Sequence, residues 1–271
     1  MRALSKAIKV NLTSIYLEAG NLEAGSLETG SSESSTSHTG RASRVAAVVL
    51  ALFLCSPFAA VSSLAQGMPA ISDTVANATE MSGYFNLYWD DSAGKLYWEL
   101  DKLDTEFLYQ VSMGSGLGSN PVGIDRGQLR GTYVLSAQRV GPRVLLVEPN
   151  YRYRATSENE LERQAVEDAF APSVIWGFDI VAIDGASVLV DATDFFLRDA
   201  RDVIGTLSNS NQGNFSLDKS RSALYLENTR AFPDNVEVEA MLTFTSNNPG
   251  RLVNGVAATG NAVTLRQHHS I

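Results

Sequence analysis

The chain has 271 residues, 44% of them hydrophobic and 19% charged, which suits one large or two small soluble domains. Its formal net charge of -9 argues against nucleic acid as a partner, because phosphate binding needs a basic face. The single cysteine, Cys55, lies in an apolar N-terminal stretch, so the folded part is predicted to contain neither a disulfide framework nor a thiolate metal site.

Residues 1–40 are predicted to be a disordered, low-complexity extension. Three similar five-residue units occupy residues 16–20, 21–25 and 26–30, and a run rich in Ser and Thr follows over residues 31–39. A segment of this composition has too few apolar side chains to bury a core.

Residues 41–65 have the pattern of an export signal. Two arginines precede an apolar stretch, residues 45–60, and Ser63 and Ala65 form a small-x-small site with cleavage expected before Gln66. An uncleaved membrane anchor is the alternative, since the stretch approaches the ~20 residues that span a bilayer. Either interpretation predicts an exported protein that is periplasmic, associated with the outer membrane or extracellular.

Residues 82–271 predict an α+β fold, predominantly antiparallel β-sheet with about two short helices, after a polar linker over residues 66–81. Apolar and polar side chains mostly alternate with a period of two. Three pairs of such runs flank turn sequences typical of hairpins, at residues 90–94, 140–142 and 184–185. Further strands are predicted over residues 106–112, 151–154, 222–226, 236–245 and 262–267.

The two helices are predicted from capping residues and apolar spacing. Ser157 and Glu160 form a capping box, and the helix that follows ends before Pro172. Its apolar positions are Leu161, Ala165, Val166, Ala169 and Phe170. Thr193 or Asp194 is predicted to cap a second helix over residues 195–203. The chain stops within its last predicted strand, where we expect an unpaired edge, as in a longer protein cut short.

The stretch over residues 114–131 contains six glycines. Its Gly-Ser-Gly-Leu-Gly opening is similar to a dinucleotide fingerprint, but residues 120–125 cannot begin the helix that this fingerprint needs. No Gly-Lys-Ser/Thr is present, which excludes a P-loop. We therefore predict a structural crossing loop whose arginine is held by a carboxylate. Its residues are Gly116, Gly118, Asp125, Arg126 and Gly127, and the carboxylate is that of Asp104, Asp125 or Glu148.

No catalytic or metal-binding residue is predicted. Ser216 and Lys219 match a Ser-x-x-Lys pattern whose serine normally opens a helix, whereas a β-like run follows here. His268 and His269 are too few for a catalytic zinc site, which takes three protein ligands, and adjacent strand residues point to opposite faces. A group of carboxylates could bind calcium or form an acid–base pair, although its spacing is unlike a calcium loop. The group is Glu99, Asp101, Asp104 and Glu106.

Ten short motifs, in order along the chain, carry a family resemblance. They occupy residues 107–109, 116–120, 125–128, 140–142, 145–151, 173–178, 190–193, 197–200, 231–233 and 268–270. With these motifs, the region from about Gly83 onward resembles the N-terminal domain of unknown function, of the DUF5117 type, that is found in large exported bacterial zinc-dependent metalloproteases.

The resemblance implies the non-catalytic N-terminal portion of such a protease. The family's His-Glu-x-x-His zinc site lies far downstream and none of its residues is present here, so zinc is implied for the full-length family and no cofactor for this chain. The expected partners are the downstream peptidase domain, whose substrate cleft this region would pack on or shape, and a protein or peptide substrate.

Two alternatives remain open. The second hypothesis is a free-standing exported binding or scaffold module for peptide or glycan. The third is a serine enzyme that uses Ser216 and Lys219. The binding module is suggested by aromatic residues on the first hairpin, which stack on sugars or hold a peptide. These residues are Tyr84, Tyr88, Trp89, Tyr97 and Trp98.

Overall fold

A computed structural model describes residues 67–271. This part of the chain is mainly antiparallel β-sheet with short helices, so the predicted α+β fold class is confirmed. The predicted extension over residues 1–40 and the export segment over residues 41–65 lie outside the described residues.

The described residues form a sheet of twelve strands. In chain order the strands are β1 (Thr79–Met81), β2 (Leu87–Asp90), β3 (Lys95–Leu100), β4 (Glu106–Met113), β5 (Leu129–Val140), β6 (Arg143–Glu148), β7 (Ser173–Asp184), β8 (Ser187–Asp191), β9 (Ser216–Leu224), β10 (Arg230–Ala231), β11 (Val236–Thr245) and β12 (Ala262–Ser270). Across the sheet the order is β1-β2-β3-β8-β7-β6-β5-β4-β12-β11-β10, and β9 also pairs with β11.

Five short helices connect the strands of residues 67–271. They are α1 (Ile71–Thr74), α2 (Glu160–Ala169), α3 (Thr193–Phe196), α4 (Val203–Asn209) and α5 (Arg251–Val256). Single 3-10 turns lie at Asn120–Val122 and Leu226–Asn228. In this part of the chain no helix combines the length and apolar character needed to cross a membrane.

The three predicted hairpins are confirmed, as β2–β3, β5–β6 and β7–β8. The glycine in each turn has a positive φ angle, between 59° and 63°, which explains why glycine occupies these turns. The hairpins place neighbouring strands in register and bring the inward side chains of each strand onto one face of the sheet.

The inward face of the sheet encloses an aromatic core. Its largest fully buried side chains include Trp98 on β3, Tyr109 on β4, and Phe195 and Phe196 on α3. The two ends of the sheet meet where the Tyr84 backbone N–H donates to the Phe232 carbonyl oxygen, at 2.6 Å. Fully burying a side chain of this kind contributes about 1.5–3 kcal/mol, so this core is the main source of stability.

A second core lies beneath the glycine-rich loop. The loop contributes Leu117, Val122 and Ile124, which are 0–7% exposed. The remaining buried members come from β4, α4, α5, the second half of β11 and the first half of β12, together with Phe215. The loop therefore covers a core that the other elements leave open.

The predicted linker over residues 66–81 is wrong, because α1 and β1 lie within it. Ile71 is 5% exposed, and its N–H donates to Asp184 Oδ2 at 3.0 Å. The strand pairs with β2 from Thr79 to Met81. Elements of three and four residues are too short to show a periodic pattern, and their partners are distant in sequence.

The first helix differs from the prediction in its start and in its burial. Its N-cap is Asn159, whose side chain accepts from the Leu161 N–H at 3.1 Å, and Ser157 instead accepts from the Asn159 N–H. None of its residues is buried, and Leu161 is 74% exposed. Residues 151–154, predicted as a strand, form a loop. The apolar spacing makes a helix here, but no neighbouring element covers it.

The predicted helix over residues 195–203 is two separate helices, α3 and α4. The Asp199 carboxylate accepts from the N–H groups of Val203 and Ile204, at 2.8 and 2.9 Å, and Asp202 has a left-handed φ of 60°. These contacts end one helix and begin the next, because a carboxylate that accepts backbone N–H groups is a typical cap. The helix α5 is not predicted from the sequence.

The last strand is not an edge. Its residues pair with β11 on one side and β4 on the other, and the Ile271 N–H and carbonyl both bond to Val236. The expected unpaired edge is therefore wrong. The sequence pattern identifies a strand but does not indicate its position in the sheet.

Candidate functional site

Residues 149–172, between β6 and β7, cross the outer face of the sheet and are referred to below as the covering segment. The Tyr151 hydroxyl donates to Glu106 Oε1 on β4. The Asn150 side-chain amide donates to the Ala171 carbonyl oxygen at 3.3 Å and so joins the two ends of the segment. Tyr153 stacks on Phe170 with a centroid separation of 3.9 Å. The segment is thus held by a few contacts at its base.

A groove of about 890 Å³ lies between the covering segment and the outer face of the sheet. Side chains from both sides line it, including Glu106, Gln138, Tyr151, Arg154, Arg163 and Phe170. This volume lies in the range of sites that take small ligands or part of a peptide.

A diagonal apolar row crosses the outer face beside the groove. The strand register pairs Leu108 with Val134 and, one pair of residues further along, Val147 with Val174, whereas Ser136 and Glu106 lie in line with Val147. Val147 is 7% exposed because the covering segment lies over it, whereas Leu108 is 61% and Val174 57% exposed. Large exposed apolar side chains in a row are typical of a surface that contacts another polypeptide.

The groove carries charged and aromatic groups that can bind a ligand. Arg154 and Arg163 supply positive charge, and Glu106, Glu167 and Asp168 supply negative charge. The described residues that line it include no serine, cysteine or histidine. Aromatic faces, mixed charges and an adjacent apolar row suit an extended polypeptide better than a single charged ligand.

The glycine-rich loop lies at the opposite end of β4 from the groove. A side-chain Cβ on Gly116 would lie 2.8 Å from the Arg126 backbone nitrogen, so the two arms of the loop cross at this glycine. Gly118 and Gly127 have φ angles of 85° and 77°. Backbone bonds join the arms, from Leu117 N–H to the Ile124 carbonyl at 2.8 Å, and from Gly127 N–H to the Met113 carbonyl at 2.8 Å.

The predicted carboxylate partner of Arg126 is not found among residues 67–271. Arg126 is exposed and forms no ion pair there, so this prediction is wrong. Asp104 precedes β4 and Glu148 ends β6, both at the far end of strands that span about 25 Å. The Asp125 backbone instead bonds to Gln128, through its N–H and its carbonyl.

His268 lies on the outer face of β12, opposite Glu239 of β11, and beside Glu237. Its Nε2 is 2.6 Å from Glu237 Oε2, and its Nδ1 is 3.8 Å from Glu239 Oε2. The hydrogen bond with Glu237 raises the pKa of His268 above its usual value. Although burial acts to raise it, the bonds from His268 and Ser270 bring the pKa of Glu237 below its usual value. Because both ring nitrogens face carboxylates, the charged form of His268 is favoured.

This pair predicts a pH-dependent contribution to stability of about 1–2 kcal/mol, reduced because the imidazole is 28% exposed. A raised His268 pKa stabilises fully below its ordinary value of 6.5 and loses that effect as pH rises through the folded value. A lowered Glu237 pKa stabilises above 4.5 and loses the effect as pH falls. The free energy of unfolding of Glu237→Gln, measured with urea, should therefore fall furthest below that of the unmodified chain between about pH 4.5 and 6.5. A deficit that is constant from pH 4 to 9 would contradict the pairing.

His269 lies on the opposite face and is completely buried. Its Nδ1 is 2.8 Å from the Tyr109 hydroxyl, and its Nε2 is 3.2 Å from the Phe196 carbonyl oxygen. Burial lowers the pKa of His269 well below its usual value, and burial raises the pKa of Tyr109 to about 12. Arg198 Nη2 donates to the Tyr109 oxygen at 3.1 Å. The two adjacent histidines therefore have separate environments, as their position on a strand predicts.

The Ser-x-x-Lys match has no catalytic geometry. Ser216 begins β9 and pairs with Thr245 of β11. The Lys219 Nζ is 2.8 Å from Asp194 Oδ1, in an exposed ion pair. A serine on a strand cannot provide the helix-opening arrangement that this pattern requires.

The predicted acidic group does not converge on one site. Glu99 accepts from the Tyr88 hydroxyl at 2.8 Å, Asp101 pairs with Lys102, and Glu106 accepts from Tyr151. No group of three or more potential metal ligands occurs within residues 67–271. Because Glu99 lies on β3, Glu106 on β4, and Asp101 and Asp104 in the connection between them, these carboxylates reach different neighbours.

The aromatic residues of the first hairpin are largely packed. Trp98 is 0% and Tyr88 8% exposed, and Tyr84, Trp89 and Tyr97 are half-buried. They do not form the exposed aromatic platform that suggested glycan binding.

The family model described as "Domain of unknown function (DUF5117)" matches residues 127–271. The chain belongs to the DUF5117 family. The matched part of this DUF5117 chain contains β5 to β12 and the whole covering segment, and β4, which precedes it, is paired on both sides with matched strands. No curated protein and no solved structure matches the chain.

The groove and the Glu237–His268 pair are features of this DUF5117 chain that sequence reasoning missed. Glu237 and His268 are 31 residues apart, which no local motif reveals. The sequence signal for the apolar row is limited to Leu108, the one apolar residue at an outward position of β4, between the inward-facing Phe107 and Tyr109.

Proposed function

We propose that this chain is the non-catalytic N-terminal portion of an exported zinc-dependent metalloprotease, and that it packs on a peptidase domain through the apolar row and the covering segment. Zinc belongs to that peptidase domain in this proposal, and the chain itself holds no cofactor. The observation that carries the proposal is the exposure of Leu108 and Val174 on one face of the sheet, beside the groove.

The chemistry of this surface supports a protein partner. Leu108, Val174 and Leu161 are more than half exposed, so contact with another domain would remove apolar area from water. Each Å² of apolar surface buried contributes about 25 cal/mol, before the costs of association. The chain belongs to the DUF5117 family. The protease assignment itself rests on the sequence resemblance to the N-terminal domain of zinc-dependent metalloproteases.

The groove also suits the second role, which is to shape the substrate cleft. Tyr151 and Phe170 present aromatic area, and Arg154 and Glu106 offer charged hydrogen-bonding groups on opposite sides. A peptide that passes through the groove would be oriented before it reaches the peptidase domain. The alternative is a free-standing exported module that binds peptide in the same groove.

The docking proposal is tested with the peptidase domain of a DUF5117-containing zinc metalloprotease, supplied as a separate purified chain. We expect calorimetry to detect binding to the full chain and expect Leu108→Asp to weaken it at least tenfold, since a charge would be buried at the interface; tenfold corresponds to about 1.4 kcal/mol. Val140→Asp is the matched control, because Val140 is 58% exposed but lies at the β5–β6 turn.

Equal weakening by both variants, or no binding by the unmodified chain, would contradict docking through this face. The purified chain alone should show no chelator-sensitive cleavage of casein. If it does cleave casein in this way, the non-catalytic assignment is wrong. Binding of casein peptides without any binding of the peptidase domain would favour the free-standing module.

A further inference from the structure

Arg201 is a buried cation that forms no direct ion pair among the described residues. It lies between α3 and α4 and is 5% exposed. Its Nε is sealed from solvent and has no hydrogen-bond partner. No ion pair or side-chain hydrogen bond of Arg201 occurs within residues 67–271, so both Nη nitrogens also lack a protein partner there. Since only Nε is sealed, the outer Nη edge retains the side chain's remaining exposure.

The nearest carboxylates are occupied by other groups. The Asp199 oxygens accept from the backbone N–H groups that begin α4. Asp202 Oδ2 is 3.0 Å from Arg130 Nη2, and its Oδ1 accepts from the Gly205 N–H at 3.2 Å. Burial, and then the positive charge of Arg130, lower the pKa of Arg201, and the negative charges of Asp202 and Asp199 offset part of this lowering. Arg130 and Arg201 thus place two positive charges close together, and only Arg130 has an ion-pair partner.

The position of Arg201 is held by the fold. Its backbone N–H donates to Gln267 Oε1 at 2.8 Å, and Gln267 Nε2 donates to the Arg198 carbonyl oxygen at 3.0 Å. Gln267 is 1% exposed on the central strand β12, so it is a rigid anchor. These bonds fix the backbone of Arg201 to the sheet at the α3–α4 connection.

We propose that Arg201 binds an oxyanion, carboxylate or phosphate, through its outer Nη edge, with Arg130 as the second positive charge at the same opening. A buried, unpaired guanidinium is costly, and an anion removes that cost. The planar guanidinium presents two N–H groups in the fork that a carboxylate or a phosphate accepts. The proposal is independent of the protease assignment, because it rests only on Arg201 and its neighbours.

The test measures the melting temperature of the full chain during titration with sodium phosphate or with sodium acetate, at ionic strength held constant with sodium chloride. We expect a saturable rise of about 2–4 °C with at least one of the two anions. The anion that gives the rise identifies phosphate or carboxylate as the ligand chemistry. In Arg201→Gln the rise should be lost, and the melting temperature without anion should be unchanged or higher because a buried unpaired charge has been removed.

Arg126→Gln is the matched control, since Arg126 is exposed and should not alter the response. The proposal is overturned if Arg201→Gln responds as the unmodified chain does, or if neither anion acts beyond chloride. If Arg201→Gln fails to fold, the ¹⁵N–¹H NMR signal of Arg201 Nε in the unmodified chain tests the proposal instead. It should shift with saturation on addition of the anion, and a signal that does not move overturns the proposal.

Discussion

Arg266→Gln should lower the free energy of unfolding by about 2–3 kcal/mol, because it removes the nearer of the two cationic side chains beside the buried Glu239 carboxylate and leaves only His268, 3.8 Å away. The Glu239 side chain is 4% exposed, and its Oε1 lies 3.1 Å from Arg266 Nη1. That oxygen has no hydrogen bond of good geometry, so the ion pair alone neutralises it. In the variant, Asn228 Nδ2 still donates to Glu239 Oε2, a bond of 2.7 Å in the unmodified chain. Urea unfolding at pH 7 measures the loss in the free energy of unfolding.

Arg221→Gln is the control for this prediction, since its ion pair with Asp218 lies at the surface. The Arg221 side chain is 55% exposed, and the expected loss is much smaller than for Arg266→Gln because solvent screens a surface ion pair. The double variant Arg266→Gln/Glu239→Gln should recover part of the loss, because it also removes the buried charge. Similar losses for the two single variants would show that the Glu239 carboxylate is not effectively buried.

Gly116→Val should destabilise the chain by about 2–3 kcal/mol, since the new Cβ would lie 2.8 Å from the Arg126 backbone nitrogen. Backbone cannot move aside as a flexible side chain does, so the two arms of the glycine-rich loop must separate. Their separation would expose Leu117 and Ile124, which belong to the second core. The midpoint of thermal unfolding measures the effect.

Two further glycines test whether space or backbone angle causes the effect. Gly127 has open space around it and a φ of 77°, so Gly127→Val should cost about 1–2 kcal/mol from strain alone. Gly255 lies in α5 with open space, and Gly255→Ala should stabilise by about 0.5–1 kcal/mol. An unchanged melting point for both Gly116→Val and Gly127→Val would contradict a structural role for the loop.

The elements predicted correctly are those with local signals. Each hairpin combines alternating side chains with a turn glycine a few residues away, as at Gly94 and Gly185, and this information lies within about ten residues. The strand Val236–Thr245 is found with its predicted bounds for the same reason. The α+β fold class follows from the number of such runs.

The errors occur where distant residues decide the structure. The α1 and β1 elements depend on Asp184 and on β2, and the break between α3 and α4 depends on the Asp199 carboxylate. The apolar spacing of α2 correctly indicates a helix, but its burial depends on whether another element covers it. Whether Arg126 can pair with its predicted carboxylates depends on which end of β4 those carboxylates occupy.

Strands, turns and the separation of His268 from His269 are therefore readable from the chain itself, because a period of two and a turn residue act over neighbouring positions. The groove, the Glu237–His268 pair and the unpaired Arg201 arise only from tertiary structure. Each depends on strand order and on which surface a distant segment covers, and these are decided by the best burial of the whole chain.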